Sequence, residues 1–167
     1  MSLLILFGLP GSGKTFAGKV FEKYFGYYFY DGDNDLTNEM KRAIKTQKVF
    51  TEAMRNVFFK KLINNIQKLK FEHKKIVVAQ TFIKEKYRID LINKISDTKF
   101  VLVKTKKSIR EKRLANRTGY PLKMEYARKM SLNFDKPAIN HLTIVNDIDG
   151  VEEIKKQIKL LEKAVSV

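Results

Sequence analysis

The chain of 167 residues contains no cysteine, which excludes disulfides, thiolate nucleophiles and Cys-ligated zinc. It has only two histidines, His73 and His141, too few for a histidine-based metal site. No apolar run approaches the roughly 18 residues of a membrane span. The apolar opening at residues 3–7 lacks a basic leader and a small-residue cleavage site, and it runs straight into Gly8-Leu9-Pro10-Gly11. It therefore reads as a buried strand and not a secretion signal, and a cytoplasmic protein with no membrane partner is expected. Repeats, low-complexity tracts and linker-like segments are also missing, and 44% of the residues are apolar, so residues 1–167 read as one domain. The chemistry left to such a chain rests on Lys, Arg, Asp and hydroxyl groups.

Charge is present in excess and unevenly placed. Lysine and arginine number 34 against 18 acidic residues, a net +16. Residues 1–35 carry three lysines and four acids, whereas residues 99–136 carry twelve basic and three acidic residues. Such a stretch suits a surface that meets phosphate, and it equally suits a solvated lysine-rich surface.

Short apolar or β-branched runs at residues 3–7, 27–30, 76–79, 100–103 and 142–145 read as five buried parallel strands. Helical patterns lie between them at about 51–69, 106–117 and 123–134, and Val151, Ile154, Ile158 and Leu161 mark one face of a helix near the C-terminus. Thr118-Gly119-Tyr120-Pro121 reads as a hinge between two of these helices. Alternation of strand and helix argues for an α/β fold with helices on both faces of a parallel sheet.

Gly8-Leu9-Pro10-Gly11-Ser12-Gly13-Lys14-Thr15 fits G-x-x-x-x-G-K-[ST], directly after a strand and before a helical pattern. Glycines let backbone N–H groups turn toward phosphate oxygens, and the following helix points its positive end at them. Gly8, Pro10, Gly11, Ser12, Gly13, Lys14 and Thr15 are thus candidate ATP-binding residues, with Lys14 reaching the β- and γ-phosphates and the Thr15 hydroxyl available to Mg²⁺. Two further absences narrow the class. The third strand runs into Gln80 without the Asp that motors and switch ATPases place behind Mg²⁺, and the chain has no Asn-Lys-x-Asp guanine motif. Kinases of small molecules remain.

Asp31-Gly32-Asp33-Asn34-Asp35 follows the second strand, at the sheet edge where ligands of parallel sheets bind. In a kinase one acid here can orient Mg²⁺ and a second can accept the proton of the attacking hydroxyl; the same cluster also suits a polar turn. Arg110, Arg113 and Arg117 share one helical face beside the hinge, as a closing lid would require. Arg55 precedes an apolar stretch, where it is either an acceptor clamp or a snorkelling side chain.

Taken together these residues resemble the gluconokinase family of small P-loop kinases, relatives of shikimate and adenylate kinases. The likeness covers nearly the whole chain. Beyond the P-loop it rests on Asp31-Gly32-Asp33, Arg55, Lys84-x-x-Tyr87-Arg88 and Arg113-Leu114-x-x-Arg117-x-Gly119. The resemblance implies a three-layer P-loop NTPase fold with strand order 2-3-1-4-5 and a helical lid at about 113–136. It also implies roles: Asp31 near Mg²⁺, Asp33 at the acceptor hydroxyl, Arg113 against adenine or phosphate, Arg117 on the transferring phosphoryl group, and Arg55 and Arg88 near the acceptor. Lys14, Asp33 and Arg117 become the candidate catalytic residues. Three departures fall on the acceptor side: Leu36 where the family carries His, Thr51-Glu52-Ala53-Met54 in place of an acid-rich run, and Gln80-Thr81 where Cys-Ser is common. The expectation is an ATP- and Mg²⁺-dependent phosphotransferase acting on a hydroxyl of a small polar acceptor, more anionic than gluconate or differently shaped. The alternatives are a polynucleotide or nucleoside kinase, with nucleic acid as partner, and a nucleotide-binding module without turnover.

Overall fold

Residues 3–7 offer no polar side chain to water, so both faces of the strand they form must be covered. The computed structural model, which describes residues 2–117 and 123–165, shows how. Strand β1 (Ser2–Phe7) is the centre of a five-stranded parallel sheet with β2 (Tyr28–Asp31), β3 (Lys75–Ala79), β4 (Thr98–Lys104) and β5 (His141–Val145), in the order 2-3-1-4-5. Ile5 pairs with Val78 on one side and Phe100 on the other. The fold is the P-loop NTPase kinase architecture that the resemblance implies.

The period of two along β1 separates two cores. Leu3, Ile5 and Phe7 meet Phe58, Leu62 and Ile66 of helix α3 (Glu52–Glu72) and Leu91 of α4 (Glu85–Lys94). Leu4 and Leu6 meet Ala17, Val20 and Phe21 of α1 (Lys14–Phe25) and Ile154 and Ile158 of α7 (Val151–Val165). Each fully buried Leu or Ile contributes about 1.5–3 kcal/mol relative to exposure, which makes β1 the anchor of the sheet. The outer strands differ from expectation: β2 is half-buried and β5 buries only Ile144 deeply, because an edge strand has a neighbour on one side only.

Helices α3, α5 (Lys107–Ala115) and α6 (Met124–Leu132) occupy the three expected helical stretches with ends shifted by a few residues. The proposed hinge at 118–121 lies outside the described residues. Helix α2 (Asn38–Lys45) is not marked by the sequence pattern, and α4 is marked there only as a helical pattern around Asn93 and Lys94, without bounds. The first is only 8 residues long, and the second turns Arg88 toward the core, a charged residue that interrupts the apolar spacing. Among the described residues no helix is long and apolar enough to cross a membrane. The parallel topology brings the loops after β1, β2 and β3 to one edge of the sheet, and the site is built there.

Candidate active site

The loop between β1 and α1 has the geometry of an anion cradle. Gly8, Gly11 and Gly13 all hold positive φ, at 144°, 79° and 90°. At Gly13 a side chain is excluded by space as well, since a Cβ would lie 2.1 Å from the Asn146 amide nitrogen. The Ser12 hydroxyl is buried with no hydrogen-bond partner among the described residues, as expected of a group meant for a ligand. Lys14 folds back over the loop and donates to the carbonyls of Gly8 (3.0 Å) and Leu9 (3.1 Å). Burial pushes its ammonium down to about 8, helped by Arg117 and Arg110 and resisted by Asp33 and Asp31. A half-buried, cavity-lining cation beside an orphaned hydroxyl and inward-turned glycines fits the phosphates of a nucleotide.

The loop is braced from behind by residues that the sequence did not single out. Asn146, just after β5, donates its amide to the Ser12 carbonyl (2.9 Å), and the Thr105 hydroxyl, just after β4, donates to the same oxygen (2.9 Å). Asn146 is 2% exposed. Its only sequence signal is a polar residue at a strand end, which does not distinguish it from an ordinary loop residue.

The acidic cluster divides into distinct tasks. Asp31 ends β2 and accepts from the Asp33 N–H (3.0 Å), capping the 3₁₀ turn Gly32–Asp35; burial raises its pKa. Asp33 accepts from the Gln80 amide (3.0 Å), whose oxygen in turn accepts from the Thr81 N–H (2.6 Å). Gln80 therefore orients Asp33. Asp35 points away into the protein, held by the Tyr30 hydroxyl (2.8 Å) and the Asn65 amide (2.6 Å), and it fixes the turn from below. Thr15 and Asp31 both line the cavity, while among the described residues no group of three or more His, Asp or Glu could hold a metal by itself. That donor set fits Mg²⁺ brought in with phosphate, an ion that keeps most of its waters and takes one or two protein oxygens.

The arginines separate in space. Arg113 donates to the Asn146 carbonyl (3.1 Å) and pairs with Asp149 (3.3 Å), and it lines the cavity beside Arg117. Arg117 lies past the end of α5, so the three guanidinium groups do not form one helical face as expected. Arg110 instead packs beneath the P-loop, with its backbone carbonyl 2.8 Å from where a Gly11 Cβ would sit. Arg55 reaches the cavity and has no side-chain hydrogen bond or ion pair among the described residues. Arg88 does not reach it. It is fully buried, donates to the carbonyls of Phe82, Ile83 and Asp135, pairs with Glu85, and packs beside the rings of Phe7 and Phe134. The expectation that Arg88 touches the acceptor is corrected: its guanidinium is fully buried on core carbonyls and does not line the cavity.

Cradle, acids, Arg113, Arg117 and Arg55 line one cavity of about 290 Å³. Residues 1–143 match the family model described as chromatin associated protein KTI12. The chain belongs to the KTI12 family. No curated protein sequence matches it. Among solved structures it is similar to a gluconokinase from Sinorhizobium meliloti 1021, at 20% identity over 99% of this chain and 95% of that one, with a TM-score of 0.79. A sugar kinase from Janibacter sp. HTCC2649 gives 17% identity over 99% and 97%, with a TM-score of 0.82. Chaetomium thermophilum Kti12 in complex with ADP-AlF3 gives 16% over 98% of each chain, with a TM-score of 0.67. The likeness to small P-loop kinases read from the residues thus holds at the level of fold. In this KTI12-family chain the half of the cavity away from the P-loop is walled largely by apolar side chains, a feature no sequence motif announced.

Proposed function

We propose that the protein is an ATP-dependent phosphotransferase that moves the γ-phosphoryl group to a hydroxyl of a small acceptor. The observation that carries this reading is that one cavity holds the P-loop on one wall and Asp33, Gln80 and Arg55 on another, so that donor and acceptor could meet inside it. Residues 1–167 act as one kinase unit, with a lid at about 113–136 whose Tyr126 and Met130 already line the cavity and help exclude water. Lys14, Ser12 and the P-loop amides bind the phosphates. Thr15 and Asp31 hold Mg²⁺, which when bound offsets phosphate charge. Asp33, fixed by Gln80, takes the proton from the acceptor hydroxyl as its oxygen bonds to the γ-phosphorus and the bond to the β-phosphate oxygen breaks. Arg117 stabilises the charge on the transferring group, Arg113 the nucleotide side, and Arg55 the acceptor. Screening sugar acids, polyols, hydroxy acids and nucleosides for ATP consumption with mass detection of a phosphorylated product tests the assignment; no product from any acceptor refutes it.

A second reading is favoured by the KTI12 match and the +16 charge. It is a nucleotide-dependent protein working with nucleic acid, as a polynucleotide or nucleoside kinase or as a module without turnover. Binding to a 5′-hydroxyl oligonucleotide across a salt series, with end-phosphorylation as readout, separates these from small-molecule transfer.

A further inference from the structure

Resting on the kinase reading, we infer that the acceptor chamber takes a hydroxylated aromatic compound with one anionic head group, and not a polyol. Its walls come from four separated parts of the chain: Met40 and Ile44 of α2, Phe50 in the following loop, Phe58 of α3, and Tyr126 and Met130 of α6. Met40, Phe58 and Tyr126 are each 2% exposed, so this surface belongs to the core and is not a solvated rim.

Two of the polar side chains at the acceptor end, Gln80 and Lys84, are already engaged. Gln80 uses its amide nitrogen on Asp33 and its oxygen on the Thr81 N–H. Lys84 pairs with Asp135 at 3.0 Å. A polyol in this chamber would lose water from several hydroxyls and find phenyl rings and thioethers in return. An aromatic body meets what the walls offer: ring edges from the T-shaped pair Phe50 and Tyr126, centroids 6.1 Å apart, and adaptable methionines on two sides.

The charge requirement comes from Arg55. It is half-buried, faces the chamber, and has no carboxylate partner among the described residues. A guanidinium fork that faces a largely apolar chamber is satisfied by a carboxylate or phosphate that accepts two N–H groups at once. Tyr126 lies near enough to feel Arg55, and burial pushes its hydroxyl up to about 12, so it stays a protonated donor beside the same anion. With the head group at Arg55 and the ring between the methionines, the remaining hydroxyl of the ligand is left to face Asp33.

The test uses the full chain with ¹³C-methyl-labelled methionine and a nonhydrolysable ATP analogue with Mg²⁺ filling the cradle. The probes are 3-phenyllactate, phenyl phosphate, gluconate and 3-phenylpropan-1-ol. The expected result is saturable shifts of the Met40 and Met130 methyl signals with one of the two aromatic anions, at a Kd at least tenfold below those of gluconate and the uncharged alcohol. The tighter of the two names the head group as carboxylate or phosphate. Arg55→Gln should raise that Kd at least tenfold. Gluconate or the alcohol binding as tightly as the aromatic anions, no binding of either anion, or an unchanged Kd in Arg55→Gln overturns the inference. The comparison among probes on the unaltered protein decides even if the variant fails to fold. Methyl shifts without ATP consumption by any hydroxylated aromatic acid would instead refute phosphoryl transfer and leave the chamber assignment standing.

Discussion

Replacing Lys14 by Met should stabilise the ligand-free protein while weakening nucleotide binding. Burial pushes the Lys14 ammonium from its ordinary 10.5 to about 8. At roughly 1.4 kcal/mol per pH unit, holding that cation at pH 7 costs the fold about 3 kcal/mol. Methionine keeps an apolar stem of similar reach but abandons the bonds to the Gly8 and Leu9 carbonyls, a loss of about 0.5–1 kcal/mol each. The net gain is about 1–2 kcal/mol, or about 2–6 °C in Tm for a chain of this size. The sign with pH follows from a folded pKa below the unfolded one. The penalty is complete below pH about 8 and fades as pH rises toward 10.5, so the two proteins should converge in stability near the upper value. Urea unfolding at several pH values between 7 and 10, with and without Mg·ATP, measures this. ATP should stabilise the unaltered protein and not the variant, and ATP affinity of the unaltered protein should fall above pH 8 as the cation is lost. A variant less stable at pH 7, or a stability difference that does not change with pH, would refute the reasoning that Lys14 is held charged and desolvated for a phosphate.

Asp33→Asn removes the base while leaving an oxygen to accept from Gln80, so kcat should fall about 10²-fold or more with ATP affinity within a few-fold, in steady-state kinetics and calorimetry. Asp31→Asn should instead raise the Mg²⁺ concentration needed for half-maximal rate. Because burial raises the Asp31 pKa, the unaltered protein should show the same rising Mg²⁺ requirement as pH falls, sooner than an ordinary carboxylate would. Arg88→Ala leaves Glu85 and three carbonyls unsatisfied in the core and should cost about 3–5 kcal/mol in denaturant unfolding, with acceptor KM unchanged in the folded fraction.

What was legible in the sequence is what neighbouring residues settle among themselves. The P-loop is eight consecutive residues whose glycines and lysine specify backbone geometry locally, and the structure shows its positive-φ glycines at those positions. The five strands were legible as short apolar or β-branched runs, and the three inner ones are buried on both faces as such runs require, while the edge strands β2 and β5 are not. The acids after β2 were placed at the sheet edge by topology alone. Their division was not: Asp31 and Asp33 face the cavity while Asp35 turns inward, because Tyr30 and Asn65 receive it, and Asn65 lies on a helix thirty residues away. Arg88 looked like a clamp because an arginine carries the same charge in a site or in a core, and only the carbonyls and aromatic rings that the fold gathers around it decide between them. Asn146 bracing Ser12 across a separation of 134 residues, and a chamber walled by α2, α3 and α6 together, are likewise products of juxtaposition. Local sequence specifies backbone conformation through sterics and hydrogen bonding over a few residues. The polarity of a cavity depends on which distant side chains the fold brings into contact, and that is decided only when the tertiary structure closes.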